Sequence, residues 1–241
     1  MRYGIFSDVH SNLEALEAVI AAYEQESIDL FLCVGDIVGY AANPMECIEK
    51  VNSLVRITVA GNHDWAAVDL FPVDYFNPSA RQAIAWTRDV LTAQHKQYLE
   101  SLKLTYTNED LTLVHGTLYN PEEFNYMSDD YSVEESLGLL KTPVCFVGHS
   151  HVPGIFIADT EGELAFQHDA CVLKAENKYI INVGSVGQPR DGDPRAAYCV
   201  FDTEKNEIHI KRVVYDMKRA RQKILDAGLS ESLGDRLLVG V

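Results

Sequence analysis

Arg2 to Ile20 reads RYGIFSDVHSNLEALEAVI, and the fold turns on how this stretch divides. RYGIFS is a short apolar run with the character of a buried strand. Leu13, Leu16 and Ile20, with Tyr23 just beyond, recur at helical spacing on one face. Ser11 and Glu14 are placed to form a capping box at the start of that helix. Asp8 and His10 are left at the junction, polar side chains where the strand ends. The pattern then recurs. IDLFLCVGD is a second buried strand, followed by a helix over PMECIEKVNSL with Asn43 capping and Pro44 at its first position. VRITVAGNHD is a third strand, again ending in polar residues. Strands and helices alternating in this way build a parallel sheet with crossover helices. Ligands of such sheets collect at the carboxyl ends of the strands.

Beyond Asp64 the pattern changes. Trp65, Phe71, Tyr75 and Phe76 cluster, and Asn77-Pro78 then opens a long helical stretch containing Ile84, Trp86, Leu91, Tyr98, Leu99 and Leu102. The aromatic cluster is either a lid on which a base can stack or the internal packing of this helical insertion, residues 64–104. Strands resume at LTLVHG, VCFVGHSH and YIINVGS. AAYCVFDTEKNEIHIKRVVYD is expected to form an antiparallel hairpin turning at Glu204 to Asn206, and the segment from Met217 a helix that then frays. The second half is richer in strands, so two sheets packed face to face with helices outside are expected. No repeat or Gly/Ser-rich linker divides the chain, and one domain over residues 1–241 is the expectation.

The 241 residues are 47% hydrophobic and 23% charged, enough to bury a sizeable core. Asp plus Glu number 36 against 20 Lys plus Arg, a net charge of −16. That charge repels phosphate backbones at long range and argues against an extended nucleic acid as partner. A local cation can still reverse the field at one site, so a small phosphorylated substrate stays open. No apolar run is long enough to span a bilayer, and no membrane partner is expected. MRYGIFSDVH lacks the basic and long apolar regions of a secretory leader. Cys33, Cys47, Cys145, Cys171 and Cys199 form no C-x-x-C pair and read as reduced core thiols of a cytoplasmic protein. Nothing in the pattern fixes an oligomeric state.

Five polar segments, each at the end of an apolar strand, need a reason: Asp8 and His10 in SDVHSN, Asp36 in GDIVGY, Asn62 and His63 in GNHD, His115 in VHG, and His149 and His151 in GHSH. They hold five of the eight histidines; His95, His168 and His209 lie outside and read as surface residues. Each segment alone has an ordinary reading as a strand-end cap, a turn or a satisfied imidazole. Together, in this order, they resemble the calcineurin-like metallophosphoesterase superfamily. The resemblance runs from Tyr3 to the hairpin after Gly187, and INVGSVGQPRDGDPRAAY draws it towards the compact prokaryotic phosphodiesterase-like branch. It implies an α/β fold, a four-layer α-β-β-α sandwich of two packed mixed sheets with outer helices, and a two-metal site at one edge.

The chemistry asks for the same residue types. Two metal ions about 3.5–4 Å apart clamp the attacking and leaving oxygens of an in-line displacement at phosphorus. Such a site needs a carboxylate that bridges both ions, and Asp36 is the candidate. Asp8, His10 and one GHSH histidine would complete one ion; Asn62, His115 and the other histidine would complete the second. The resemblance gives His151 to the first and His149 to the second. Two imidazoles two residues apart then serve neighbouring ions, with Gly148 leaving room for the turn. An all-nitrogen-and-oxygen set suits two divalent or trivalent ions of manganese, iron or zinc. A hydroxide bridging them would be the nucleophile near neutral pH. His63 resembles the family's catalytic histidine, placed to protonate the leaving oxygen or stabilise charge developing there. Its ordinary alternative is a packed or capping histidine.

Relatives that hydrolyse phosphoproteins carry Asp-Arg where this chain has Gly39-Tyr40. The acidic partner of their catalytic histidine and their phosphate-holding arginine are both absent. Tyr40 is therefore read as a substrate-side residue, and Arg190 and Arg195 as candidates to hold the phosphate. The expected function is a metal-dependent phosphoesterase that hydrolyses small phosphodiesters or nucleotide anhydrides. The alternatives are a phosphomonoesterase or protein phosphatase, a nuclease, for which the net charge offers no basic groove, and a non-catalytic scaffold. A retromer scaffold subunit resembles this family in that last way; a scaffold needs neither a full ligand set nor His63.

Overall fold

The computed structural model describes residues 1–241. The chain opens with β1 (Arg2–Phe6), α1 (Leu13–Tyr23), β2 (Leu30–Cys33), α2 (Pro44–Leu54), β3 (Ile57–Thr58) and α3 (Asn62–Ala66). It continues with α4 (Pro78–Val90), α5 (Ala93–Ser101), β4 (Thr105–Thr107), β5 (Leu111–Val114), α6 (Asp130–Leu139) and β6 (Val144–Val147). Then come β7 (Gly154–Ala158), β8 (Leu164–Gln167), β9 (Ala170–Val172), β10 (Lys178–Asn182), β11 (Ala196–Asp202), β12 (Glu207–Val213), α7 (Met217–Asp226) and α8 (Glu231–Asp235).

Two mixed six-stranded sheets result, ordered β3-β2-β1-β11-β12-β9 and β4-β5-β6-β10-β7-β8. Strands β1, β2 and β3 run parallel, as do β5, β6 and β10; the remaining pairings are antiparallel. Alternation along each strand sets the layers. Tyr3 and Ile5 of β1 meet Val144 and Phe146 of β6 in the core between the sheets, while Phe6 faces the other way. There it packs with Leu16 and Val19 of α1, Ile48 of α2, Ile84 of α4 and Ile224 of α7. Cys145 and Val147, the alternate residues of β6, pack with Val133 and Leu137 of α6 on the opposite outer face. The layers are thus helix, sheet, sheet, helix, the expected α/β sandwich. All five cysteines are buried, and no helix is long and apolar enough to cross a membrane.

Several local expectations are corrected. Asn12, not Ser11, caps α1, its Oδ1 accepting from the Ala15 N–H at 3.2 Å. Ser11 has φ 58° and belongs to the preceding loop. Asn43 flanks α2, but its side chain donates to Glu46 Oε1 at 2.8 Å and caps no backbone group. The third strand is only two residues long, so the chain enters α3 almost at once. The long helical stretch is two helices, because Leu91 turns extended and Thr92 caps a fresh start. The C-terminus does not fray after α7: α8 and a 3-10 turn at Arg236–Leu238 bury Leu233 and Leu237 in the helical core. The hairpin of β11 and β12 is as expected, pairing Ala196 with Val213 through Asp202 with Glu207.

Candidate metal centre

The loops after β1, β2, β3, β5 and β6 meet at one edge of the sandwich. Their backbone is strained. Asp8, His10, Ser11, Asp36, Tyr40, His149 and His151 all have φ between 48° and 67°, a region that costs a non-glycine residue about 1–3 kcal/mol. Loop-to-loop hydrogen bonds hold them there: Asp8 N to Gly35 O at 3.0 Å, His10 N to Asp36 O at 3.0 Å, and Gly187 N to Asp8 O at 2.8 Å. Asp64 ties two loops together, its Oδ1 accepting from Ile37 N (2.8 Å) and Val38 N (3.2 Å) and its Oδ2 from Gly61 N (3.1 Å). A Cβ on Gly148 would lie 2.2 Å from Ser7 Oγ and 2.4 Å from Asp8 Oδ2, and its φ is not positive. Gly148 is therefore needed for close approach to Asp8, not for the turn itself.

Every expected ligand except Asn62 belongs to a tight buried group. Asp8, His10 and His151 form one set of possible ligands, Asp36, His115 and His149 another, and His10, Asp36 and His63 a third. Asp8 Oδ1 lies 3.2 Å from His151 Nε2 and 3.7 Å from His10 Nε2. Asp36 Oδ2 lies 3.6 Å from His10 Nε2 and 3.3 Å from His115 Nε2, between the first two sets. The Nδ1 atoms of His10, His115 and His151 contact the carbonyls of Val38 (3.0 Å), Val34 (2.7 Å) and Gln188 (2.5 Å). A carbonyl only accepts, so each Nδ1 carries hydrogen, and in the neutral imidazole Nε2 is the atom left to present a lone pair. Asn62 Oδ1 and His149 Nε2 are buried without a partner, and Asp8 Oδ1 and His115 Nε2 face an imidazole and a carboxylate at 3.2 and 3.3 Å without hydrogen-bond geometry. A buried polar atom left unsatisfied costs about 1–3 kcal/mol unless a further group meets it. This donor set fits a transition-metal ion or pair of ions.

The electrostatics agree. Burial pushes Asp8 up, but His151 and His10 hold it well below the usual carboxylate range. Asp36 is likewise held low against burial by His115 and His63. Burial lowers His63 strongly, His149 to about 3 and His151 to about 4, so these imidazoles are neutral near pH 7. Burial opposes charge on His115, yet Asp36 raises it to about 9. A metal cation held between these carboxylates would take the place of that proton.

His63 is 3% exposed and has rings on three sides. Its ring centroid lies 4.5 Å from Tyr40, 4.7 Å from His10 and 4.7 Å from Phe76, and the backbone N–H of His63 donates to Asp36 Oδ1 at 2.8 Å. Its Nδ1 has no partner, and Gly39 lies beneath it. Beyond His63, Asn62 and His149 opens a cleft of about 740 Å³. Trp65, Phe71, Tyr75 and Phe76 line it with Phe124 and Tyr126, and Glu122 and Glu123 stand on its wall. The aromatic segment therefore faces open space as well as packing on the helices. Tyr126 stacks on His149 at 3.9 Å. Arg190 donates to Tyr40 Oη at 3.2 Å, at the border of the cleft. Arg195 is instead committed to Asp193, with contacts of 3.0 and 2.6 Å. Asp64, Phe124, Tyr126 and Gln188 were not foreseen. Asp64 follows the histidine of GNHD directly and Gln188 lies in VGSVGQPR, but Phe124 and Tyr126 sit in a polar loop with no pattern to mark them.

Residues 1–206 match the calcineurin-like phosphoesterase superfamily domain. The uncharacterized protein MJ0912 of Methanocaldococcus jannaschii is 41% identical over 240 residues, covering 98% of this chain and 97% of its own. Phosphodiesterase YfcE of Escherichia coli strain K12 is 24% identical over 216 residues, 85% of this chain and 89% of its own. The crystal structure of a metallophosphoesterase from Sphaerobacter thermophilus superposes with a TM-score of 0.87 at 42% identity, covering 100% of this chain and 99% of that one.

Proposed function

This chain belongs to the calcineurin-like phosphoesterase superfamily, and on that premise we propose that it is a metal-dependent hydrolase of small phosphodiesters or nucleotide anhydrides. The observation that carries the reading is the buried set of ligand atoms, Asp8 Oδ1, Asn62 Oδ1, His115 Nε2 and His149 Nε2, none in a well-formed hydrogen bond, with Asp8 and Asp36 both held low. Asp8, His10 and His151 would hold one ion, Asn62, His115 and His149 a second, and Asp36 would serve both. Manganese, iron or zinc suits such ligands. The ions would supply a nucleophile near neutral pH and positive charge for the phosphoryl oxygens.

The rest of the work falls to side chains. His63, seated against Asp36 and the cleft, would deliver a proton or positive dipole to the leaving oxygen. Tyr40 keeps that ring in place and holds Arg190, whose guanidinium would bind a phosphoryl group of the substrate. The aromatic cleft suits an aryl or nucleobase arm, with the base stacking on Tyr75, Tyr126 or Phe71. Glu122 and Glu123 disfavour a polyphosphate in that cleft, so the organic arm, not a phosphate chain, would occupy it. The relationship to phosphodiesterase YfcE supports a diester.

The test is a panel on manganese-loaded protein at neutral pH: an activated aryl phosphodiester, its monoester, a dinucleoside polyphosphate and a phosphopeptide. Hydrolysis of the diester or the anhydride ahead of the monoester is expected. Turnover of the phosphopeptide with neither of the others cleaved would overturn the substrate reading, and no hydrolysis of any would favour the scaffold.

A further inference from the structure

Six of the ten arginines sit on carboxylates: Arg2, Arg88, Arg195, Arg212, Arg219 and Arg221. Arg56 and Arg81 are exposed to solvent. Arg190 and Arg236 are different, being half-buried with no acidic partner in a chain of charge −16. They also lie together. Gln188 Oε1 accepts from Arg190 Nη2 at 3.1 Å and from Arg236 Nη1 at 3.3 Å. Two like charges converge on one neutral oxygen, and burial together with Arg190 lowers the basicity of Arg236. The two donated bonds fix which end of the Gln188 amide is oxygen. Its Nε2 is then left buried without a partner, as is Arg190 Nε, and Gln188 itself is 1% exposed.

This cluster adjoins the metal centre through shared residues. The Gln188 carbonyl holds His151 Nδ1 at 2.5 Å, and Arg190 N donates to His151 O at 3.3 Å. Tyr40, which takes the Arg190 bond, packs on His10 with centroids 4.6 Å apart. Arg236 reaches the cluster because the C-terminus folds back: Gly192 N donates to Gly240 O at 2.8 Å and Gly240 N to Arg236 O at 2.9 Å. Neither Arg190 nor Arg236 lines the aromatic cleft; only Tyr40 borders both.

We propose that Arg190, Arg236 and Gln188 form an anion subsite beside the metal centre that takes a second phosphoryl group of the substrate, distinct from the phosphorus undergoing displacement. Guanidinium forks bind phosphoryl oxygens two at a time, and a group with three oxygens satisfies both forks where one amide oxygen cannot. The proposal rests on the phosphoesterase reading of the centre and narrows it. The preferred substrate carries an aromatic arm for the cleft and an additional phosphate for the arginines, as in a nucleotide anhydride or a phosphorylated nucleoside diester.

Equilibrium dialysis of manganese-loaded protein against radiolabelled inorganic phosphate tests this without catalysis. Two phosphates per chain are expected. Arg236→Gln should weaken one of them by about tenfold or more and leave the other, which also shows that the variant has folded. Arg236→Lys, a single-point cation, should fall between. Asp36→Asn should lose the metal-dependent phosphate and keep the arginine one. A single phosphate per chain, or two phosphates both indifferent to Arg236→Gln, would overturn the subsite. An absence of all phosphoester hydrolysis would instead overturn the reading of the centre, since the phosphate count is independent of turnover.

Discussion

His63 is held by aromatic rings and a glycine where relatives that hydrolyse phosphoproteins use a carboxylate. Removing the imidazole should leave metal content nearly intact. Turnover by His63→Ala should fall about a hundredfold or more, the scale of one positioned proton donor. The loss should shrink with good leaving groups, and an equal loss across a leaving-group series would remove the proton-donor role. Gly39 tests the seat of the ring. A Cβ there would fall 2.3 Å from His63 Nδ1, at a φ of 99° that side chains rarely adopt. Gly39→Ala should therefore reproduce much of the His63→Ala loss while the imidazole remains and the metals stay bound; full activity in that variant would show that the ring position is not limiting. The ligands separate in the same way. Asp36→Asn should deplete both ions, because Asp36 Oδ2 stands between His10 and His115, whereas His10→Ala should chiefly deplete one. Elemental analysis reads both, and two tightly held ions in Asp36→Asn would remove the bridging assignment.

Among the elements, those with a strong period were legible and the short or exposed ones were not. The β1–α1 and β2–α2 units and the β11–β12 hairpin follow from apolar spacing and turn residues alone. Strands β4, β8 and β9 are three or four residues long and partly or largely exposed, so they carry no run of alternating residues to read. The Ser11 cap failed because the motif loop, not the helix, sets that residue's backbone. The site itself was the most legible part, since strand ends concentrate its polar residues. What stayed hidden was the support around it, which depends on contacts between distant loops. Asp64 is the clearest case. Its two oxygens accept three backbone N–H groups from two loops. In Asp64→Asn one side must present an NH2 to those donors, leaving at least one bond unmade at about 1–3 kcal/mol. The variant should melt lower and bind metal more weakly although no ligand has changed. Unaltered metal affinity would show that the loops hold their places without it.

Across the whole molecule, the buried cluster makes metal-free stability a function of pH. In the folded protein burial lowers His63 strongly, His149 to about 3 and His151 to about 4, whereas an unfolded histidine titrates at about 6.5. Between pH 6.5 and about 4 the unfolded chain therefore binds three protons that the folded cluster refuses. Asp64 works the other way: burial and Asp36 raise it to about 7, so the folded state holds one proton that an unfolded aspartate has released. His115, raised to about 9, is protonated in both states across this window and adds no slope. Three against one leaves an excess of protons on the unfolded side, so stability should fall as pH drops below about 6.5, the more steeply as the unfolded histidines fill. Above 6.5 the sign reverses. His115 stabilises while only the folded state holds its proton, and that contribution is lost as pH rises through about 9. Urea midpoints of chelator-treated protein at pH 5, 6.5 and 8 should accordingly pass through a maximum near 6.5, steeper on the acid side. Manganese should protect more at pH 8 than at pH 5, because ions and protons compete for the same nitrogens. A flat profile across this range would mean that the histidines are neither buried nor neutral, and the donor set on which the phosphoesterase reading rests would go with them.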